Sequence, residues 1–204
     1  MVKYIFILFM PILLMSNTDF ALAQEIKEQD KSKSALIIID IQNFYFPEGM
    51  LPLFEPEKAA LNAQQVLNAS RESNILVIHV KHNASSGAEI HELVRPKENE
   101  KVIIKNKANA FVETDLLNFL NKNNIKDLFL CGMQTHMCLE AATRAASDYG
   151  FNCTVIEDAC TTRDLKYGDI RVNAKDVHFS TLSTLNGTYA EIINTADFLR
   201  KYNK

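Results

Sequence analysis

Apolar residues in this chain follow two patterns. ALIIID (35–40), NILVIHV (74–80), KVIIK (101–105), DLFLCG (127–132) and CTVIEDA (153–159) are short, β-branched runs without polar alternation. Such runs suit strands covered on both faces, as in a parallel sheet. Between them the apolar spacing changes to three and four. Residues 56–71 carry Ala59, Ala60, Ala63, Val66 and Leu67 near helical spacing, with Pro56 suited to a first turn. Helices are also predicted over 113–121, over 135–149 with Gly150 as the stop, and over 169–185; YAEIIN and a last helix close the chain. This alternation predicts a three-layer α/β/α domain with a mostly parallel, Rossmann-like sheet of about six strands. In such sheets the ligand site lies beyond the carboxyl ends of the strands, where the winding reverses. Asp40, Lys105 and segment 132–138 stand at those ends.

The domain so defined is 35–204, and two stretches precede it. Residues 1–23 hold Lys3, an apolar run from Tyr4 to Met15 and an Ala21-Leu22-Ala23 triplet. A basic start, a short apolar stretch and an A-x-A site make a secretory signal peptide. The run is shorter than the roughly 20 apolar residues of a membrane span. Cleavage after Ala23 is expected, an uncleaved anchor being the alternative; after cleavage no stable membrane anchor remains. Residues 24–34, QEIKEQDKSKS, read as a flexible polar lead-in. Secretion is thus expected, into the bacterial periplasm or the medium beyond it, with the periplasm preferred. The net charge of −3, with no basic stripe, gives no electrostatic footprint for nucleic acid.

CGMQTHMC, residues 131–138, gathers two cysteines and a histidine. Metal ligation, disulfide bonding and nucleophilic attack all use such clusters. Structural zinc favours close C-x2-4-C pairs, which this spacing lacks. Cys131, Cys153 and Cys160 sit in or at the end of strand-like runs of a domain large enough to need no staples. They read as reduced core residues, with a bridge between one pair as the alternative. Thr135 is a suitable N-cap, which puts Cys138 at the third helical position. Unpaired N–H groups and the helix dipole there favour a thiolate. A buried structural cysteine is the competing reading.

Asp40 ends an otherwise apolar strand, a costly place for a carboxylate that nothing uses. A general base beside a thiol needs such a desolvated carboxyl with a raised pKa. Capping a turn is the commoner use of an aspartate after a strand. Lys105 also ends a strand, and an ammonium there would lower a thiol's pKa. Lys107 keeps the choice between the two lysines open on chemistry alone. His136, two residues before Cys138 on a helix, faces away from the thiol and is assigned to the pocket rim or an interface.

Three blocks in order, ALIIIDIQNFYF, KNKANAF and LFLCGMQTHMCLEAATRAASDYGFNCTVIEDA, resemble the isochorismatase-like cysteine hydrolases, the group containing nicotinamidases and N-carbamoylsarcosine amidohydrolases. The resemblance spans residues 35–199. It implies a catalytic triad of Asp40, Lys105 and Cys138; Lys105 is selected over Lys107 by its interval to Phe111. It implies a cis peptide between Met133 and Gln134, and an oxyanion hole made by the backbone N–H groups of Gln134 and Cys138. The implied reaction is hydrolysis of a carbon–nitrogen bond of a small amide-type molecule, through a thioester on Cys138 and without a cofactor. Nicotinamidase-type members hold a metal through an aspartate and histidines after the second strand. HVKHNASSGAEIHELVRP offers His79, His82 and His91 but no D-x-H arrangement, so no metal is expected.

Gln42, Phe44, Phe46, His82, Phe111 and Thr135 are the candidate substrate-binding residues. At least one phenylalanine is expected in an apolar pocket wall, His82 on the pocket border, and Gln42 either on the substrate or bracing the loop. Family members are commonly oligomeric, so a homo-oligomer is expected, with the helix MCLEAATRAA as an interface element. An accessible thiol of low pKa at Cys138 would also be open to oxidation. Two rival functions remain. One is an isochorismatase-type vinyl ether hydrolase, against which the cysteine speaks. The other is a non-catalytic binding or redox module on the same fold, against which the filled triad speaks.

Overall fold

The structure, a computed structural model, describes residues 33–202. The signal peptide at 1–23 and residues 24–32 of the lead-in lie outside the described residues. In chain order the elements are β1 (Lys33–Ile39), α1 (Pro56–Glu72), β2 (Leu76–His82), β3 (Lys101–Lys105), α2 (Leu116–Lys122) and β4 (Ile125–Met133). A π-turn (Thr135–Leu139) then runs into α3 (Glu140–Asp148), followed by β5 (Asn152–Thr161) and the short β6 (Leu165–Tyr167) and β7 (Ile170–Val172). The chain closes with α4 (Ala174–Leu185), β8 (Glu191–Ile193) and α5 (Thr195–Tyr202). The central sheet has six strands in the order β3-β2-β1-β4-β5-β8, each paired in parallel with its neighbours. Winding runs outward from β1 to β3, then restarts at β4 and runs the other way to β8. The reversal therefore falls between β1 and β4, where the carboxyl ends leave a crevice.

The apolar run of β1 is buried throughout, from Ala35 to Ile39. Against the sheet α1 turns the buried Ala59, Ala60, Ala63, Val66 and Leu67, which is the face its spacing predicts. Strand β1 begins at Lys33, so Lys33 and Ser34 belong to the sheet and not to the lead-in. Edge strand β3 departs from the two-face burial expected of it. Ile103 and Lys105 are buried while Val102 and Ile104 are exposed, the period of two of a strand covered on one face only. That alternation sends the Lys105 side chain inward, and leaves Lys107, past the end of the strand, exposed.

The helix expected over 169–185 begins only at Ala174. Residues 165–172 form an antiparallel hairpin instead, turning at Gly168 with a φ of +58° that glycine adopts freely. Asn173 then caps α4 by accepting from the Asp176 N–H at 3.0 Å.

An ion-pair network anchors β3 from its start. Glu100 Oε1 accepts from Arg71 Nε at 2.7 Å, and Oε2 from Arg71 Nη2 and the Lys97 N–H, both at 2.8 Å. His79 Nε2 lies 2.9 Å from the same Oε2. Burial alone would raise the Glu100 pKa, but the hydrogen bonds from Arg71, Lys97 and His79 overcome it and hold the carboxyl down to about 2, from 4.5. A depressed carboxylate stabilises fully above its unfolded pKa and loses that contribution as pH falls from 4.5 toward 2. The shift is worth about 3 kcal/mol at ~1.4 per unit. Glu100→Gln is therefore expected to lower the melting temperature by about 6–12 °C at neutral pH and to flatten the acid side of the stability curve. Parallel acid limbs for the variant and the wild type would refute this assignment.

Candidate active site

Three side chains distant in sequence meet at the β1–β4 crevice. Asp40 follows β1 directly, with its N–H donating to Val80 O at 2.9 Å and a φ of +50°, uncommon for a non-glycine residue. Such conformations gather where a site over-determines the backbone. Lys105 ends β3 and reaches under the rim until its Nζ lies 2.7 Å from Asp40 Oδ2, both side chains at 0% exposure. The same Nζ donates to Cys138 Sγ at 3.2 Å. Strands β1 and β4 approach closely enough for this because residue 132 is glycine. A Cβ there would stand 2.0 Å from Ile39 O.

Cys138 is carried by the π-turn Thr135–Leu139, whose N-cap position is held by Gln134 rather than by Thr135. The helix thus starts one residue earlier than the capping signal predicts, and Cys138 is its fourth residue. The peptide between Met133 and Gln134 is cis. Within the turn Met137 N and Leu139 N both donate to Gln134 O, at 3.0 and 3.3 Å.

The electrostatics reverse one expectation. Burial pushes the Cys138 thiol up to about 12, the Asp40 carboxylate adds to that, and the Lys105 ammonium only partly offsets it. Burial also raises the Asp40 carboxyl above 3.8 against the pull of Lys105. Burial thus raises both acids that share the one ammonium, and Cys138 is pushed into the thiol range. The low-pKa, oxidation-prone thiol expected from the sequence is not present, because lost hydration and a neighbouring carboxylate outweigh a helix terminus and an ammonium. Cys131 and Cys153 are also pushed up to about 12 by burial, and Cys160 well above 9. Titration of the native protein is therefore expected to show no thiolate absorbance below pH 9. One thiolate equivalent appearing near neutrality would contradict this picture. All four cysteines are free and buried.

Among the other candidate residues, His82 stands at the triad, its Nδ1 3.3 Å from Lys105 Nζ and its ring partly open to solvent. Phe44 packs edge-on to Tyr45, with ring centres 4.2 Å apart, and Phe46 stacks on His91 at 3.7 Å. Gln42 is fully buried and its amide is spent on backbone. It donates to His82 O at 3.0 Å and to Ala88 O at 2.7 Å, and accepts from His82 N at 2.7 Å. It braces the loop after β2, the second of the two roles expected of it. Phe111 lies elsewhere than expected: its ring is 5.4 Å from Tyr149 and 6.5 Å from Phe151, at the α3–β5 connection away from the strand carboxyl ends. Thr135 is likewise turned inward, fully buried with its hydroxyl 2.9 Å from His178 Nδ1. His79 and His91 are also engaged, with Glu100 and with the Leu93 N–H. Among the described residues no group of three or more His, Cys, Asp or Glu side chains could hold a metal ion.

Residues unmarked by the sequence reading complete the surroundings. Tyr45 Oη accepts from Gln134 Nε2 at 3.2 Å, and Thr162 Oγ1 lies 2.5 Å from His136 Nδ1. Arg163 adjoins them. Its charge is felt by Tyr45 and His136, and its Nε is buried with no acceptor among the described residues. Extending the strand-end rule from β1, β3 and β4 to β5 would have pointed to Thr162 and Arg163.

The parallel α/β/α fold thus brings a carboxyl, an ammonium and a thiol together at its switch point. The family model of the isochorismatase domain matches residues 34–197. The isochorismatase family protein YddQ of Bacillus subtilis is 43% identical over 178 residues, covering 82% of this chain and 99% of that one. A crystal structure of an isochorismatase hydrolase from Oleispira antarctica superposes with a TM-score of 0.81 at 37% identity, covering 83% of this chain and 97% of the other. Maleamate amidohydrolase of Pseudomonas putida is 24% identical over 195 residues, which is 83% of this chain and 86% of that enzyme. The chain belongs to the isochorismatase family and is a hydrolase of its cysteine-hydrolase superfamily.

Proposed function

We propose that this hydrolase cleaves the carbon–nitrogen bond of a small amide through a thioester on Cys138. The observation that carries the reading is the buried Asp40–Lys105–Cys138 cluster, with one ammonium within 2.7 Å of the carboxylate and 3.2 Å of the sulfur. Asp40 takes the thiol proton as sulfur attacks the substrate carbonyl. Lys105 keeps one positive charge against whichever group is negative. The backbone N–H groups of Gln134 and Cys138 receive the oxyanion. The carbon–nitrogen bond then breaks as Asp40 gives its proton to the leaving nitrogen, releasing ammonia or an amine. Asp40 next takes a proton from water, whose oxygen attacks the thioester, and sulfur leaves with a proton as the acid product departs. The kinship with maleamate amidohydrolase supports the bond type.

Arg163 supports a narrower substrate class. A half-buried guanidinium with an unmatched Nε, close to Tyr45 and His136, suits an amide that carries an anionic group. Ammonia release from a panel of neutral and anionic small amides, with intact-mass detection of an acyl adduct on Cys138, tests both levels. The expected result is turnover with anionic amides preferred, and a drop of about 100-fold in kcat/KM for these alone in Arg163→Met. Absence of any adduct across the panel would remove the thioester reading.

Export and self-association belong to the same proposal. The pattern of residues 1–23 supports the first. For the second, α3 buries Ala142 and Ala146, while Met137 at the start of the expected interface segment is exposed. The exposed Tyr167, Ile170 and Phe179, on the hairpin and α4, support a contact there as well.

A further inference from the structure

The turn that carries the thiol is tied down by three consecutive side chains, each held by a different part of the fold. Gln134 reaches Tyr45 after β1, Thr135 reaches His178 on α4, and His136 reaches Thr162 beyond β5. Tyr45 and Thr162 belong to the rim of the active site. His178 does not. It stands on the second turn of α4, behind Thr135, and burial lowers its pKa so that the imidazole is neutral at physiological pH.

We propose that His178 is a positioning residue for the hydrolysis. By holding Thr135 Oγ1 it fixes the start of the π-turn, and with it the N–H groups of Gln134 and Cys138 relative to the thiol. The inference rests on the cysteine-hydrolase reading above. Two features of the fold give it force. First, π geometry is rare and occurs mostly as single turns at functional sites, and here three consecutive side-chain ties are added to its backbone bonds. Donors to an oxyanion must be held to within about 0.5 Å of their working place. Loss of one such donor costs about 100- to 1000-fold in rate, so a partial displacement costs less. Second, the ring of His178 lines a cavity of about 340 Å3 between the start of α1 and the start of α4, together with Phe54, Ala59, Cys160, Thr161 and Lys175. Truncating a ring that already borders open space enlarges that space and seals no new void, so the loss falls on the hydrogen bond more than on packing.

Asparagine places an amide close to the position of Nδ1 and offers both a donor and an acceptor, so it serves Thr135 whichever tautomer His178 adopts. In the full chain, His178→Ala is expected to lower kcat for amide hydrolysis about 30-fold with KM within about threefold, while His178→Asn stays within about threefold of wild type. Backbone hydrogen exchange over residues 132–139 is expected to be at least about tenfold faster in His178→Ala and unchanged in His178→Asn. Thr135→Val removes the same bond at nearly constant volume. It should give the same loss, with no further loss when His178→Ala is added, and it decides the matter should His178→Ala fail to fold. Wild-type kcat and exchange in either truncation, or a His178→Asn variant as impaired as alanine, would overturn the proposal. If the wild type hydrolyses no amide, the reading of the reaction fails, and exchange in the turn still decides the role of His178.

Discussion

Cys138→Ala is expected to lower amide hydrolysis by at least about ten thousand-fold, because the variant has no atom to form the thioester. The fold should be little changed. Cys138 is 7% exposed, and replacing its sulfur opens only a small space at the crevice. Asp40 and Lys105 remain paired at 2.7 Å without it. This asymmetry between activity and stability separates three readings of the same residues. An amidase loses turnover and its mass-detected adduct together. A vinyl ether hydrolase keeps much of its rate, since that chemistry requires no sulfur nucleophile. A binding module keeps its ligand affinity. Amide turnover surviving in Cys138→Ala would disprove the covalent mechanism.

Lys105→Met is expected to damage both stability and catalysis. It strands a carboxyl that is 0% exposed beside a thiol with no counter-charge. Breaking a buried pair from one side costs about 3–5 kcal/mol, or a fall of about 6–20 °C in Tm for a domain of this size. The pH dependence carries the diagnosis. Burial already raises the Asp40 pKa above 3.8 in the native state, and removing the ammonium raises it further. A native carboxyl that holds its proton more tightly than the unfolded one makes stability fall as pH rises from 3.8 through the raised native pKa. Lys105→Met should therefore recover part of its loss on acidification, and Asp40→Asn in the same chain should relieve much of it. Equal destabilisation of Lys105→Met at every pH would mean that the cost is one of packing alone. Activity should be absent in both variants, because neither keeps an anionic base balanced by a cation.

Much of this was legible in the sequence for identifiable reasons. The runs 35–40 and 127–132 read as strands buried on both faces, so they placed Asp40 and the 131–138 segment at strand carboxyl ends, and the structure makes those ends adjacent. Lys105 and Lys107 were not separable by chemistry. Only the resemblance chose between them, and the alternation of burial along β3 gives the physical reason for that choice. Gln42, Phe111 and Thr135 illustrate the opposite case. Each lies in a block that supplies the site, yet each side chain is turned into the protein, toward the loop after β2, toward Tyr149 and toward His178. Proximity along the chain gave no direction. The helix expected over 169–185 takes in the second strand of the hairpin, 170–172, because its pairing depends on a turn at Gly168 that apolar spacing does not reveal.

Local sequence determined which segments are strands and helices, and hence the sheet, because burial of a periodic apolar face is a property of neighbouring residues. It also set the three residue types at the site. The protonation state of that site was decided only by the tertiary structure. Whether a cysteine at a helix start is a thiolate or a thiol depends on how much water the fold removes and on which charges it brings alongside. Here the fold removes nearly all the water and brings Asp40 as well as Lys105, so the sulfur keeps its proton until a substrate arrives.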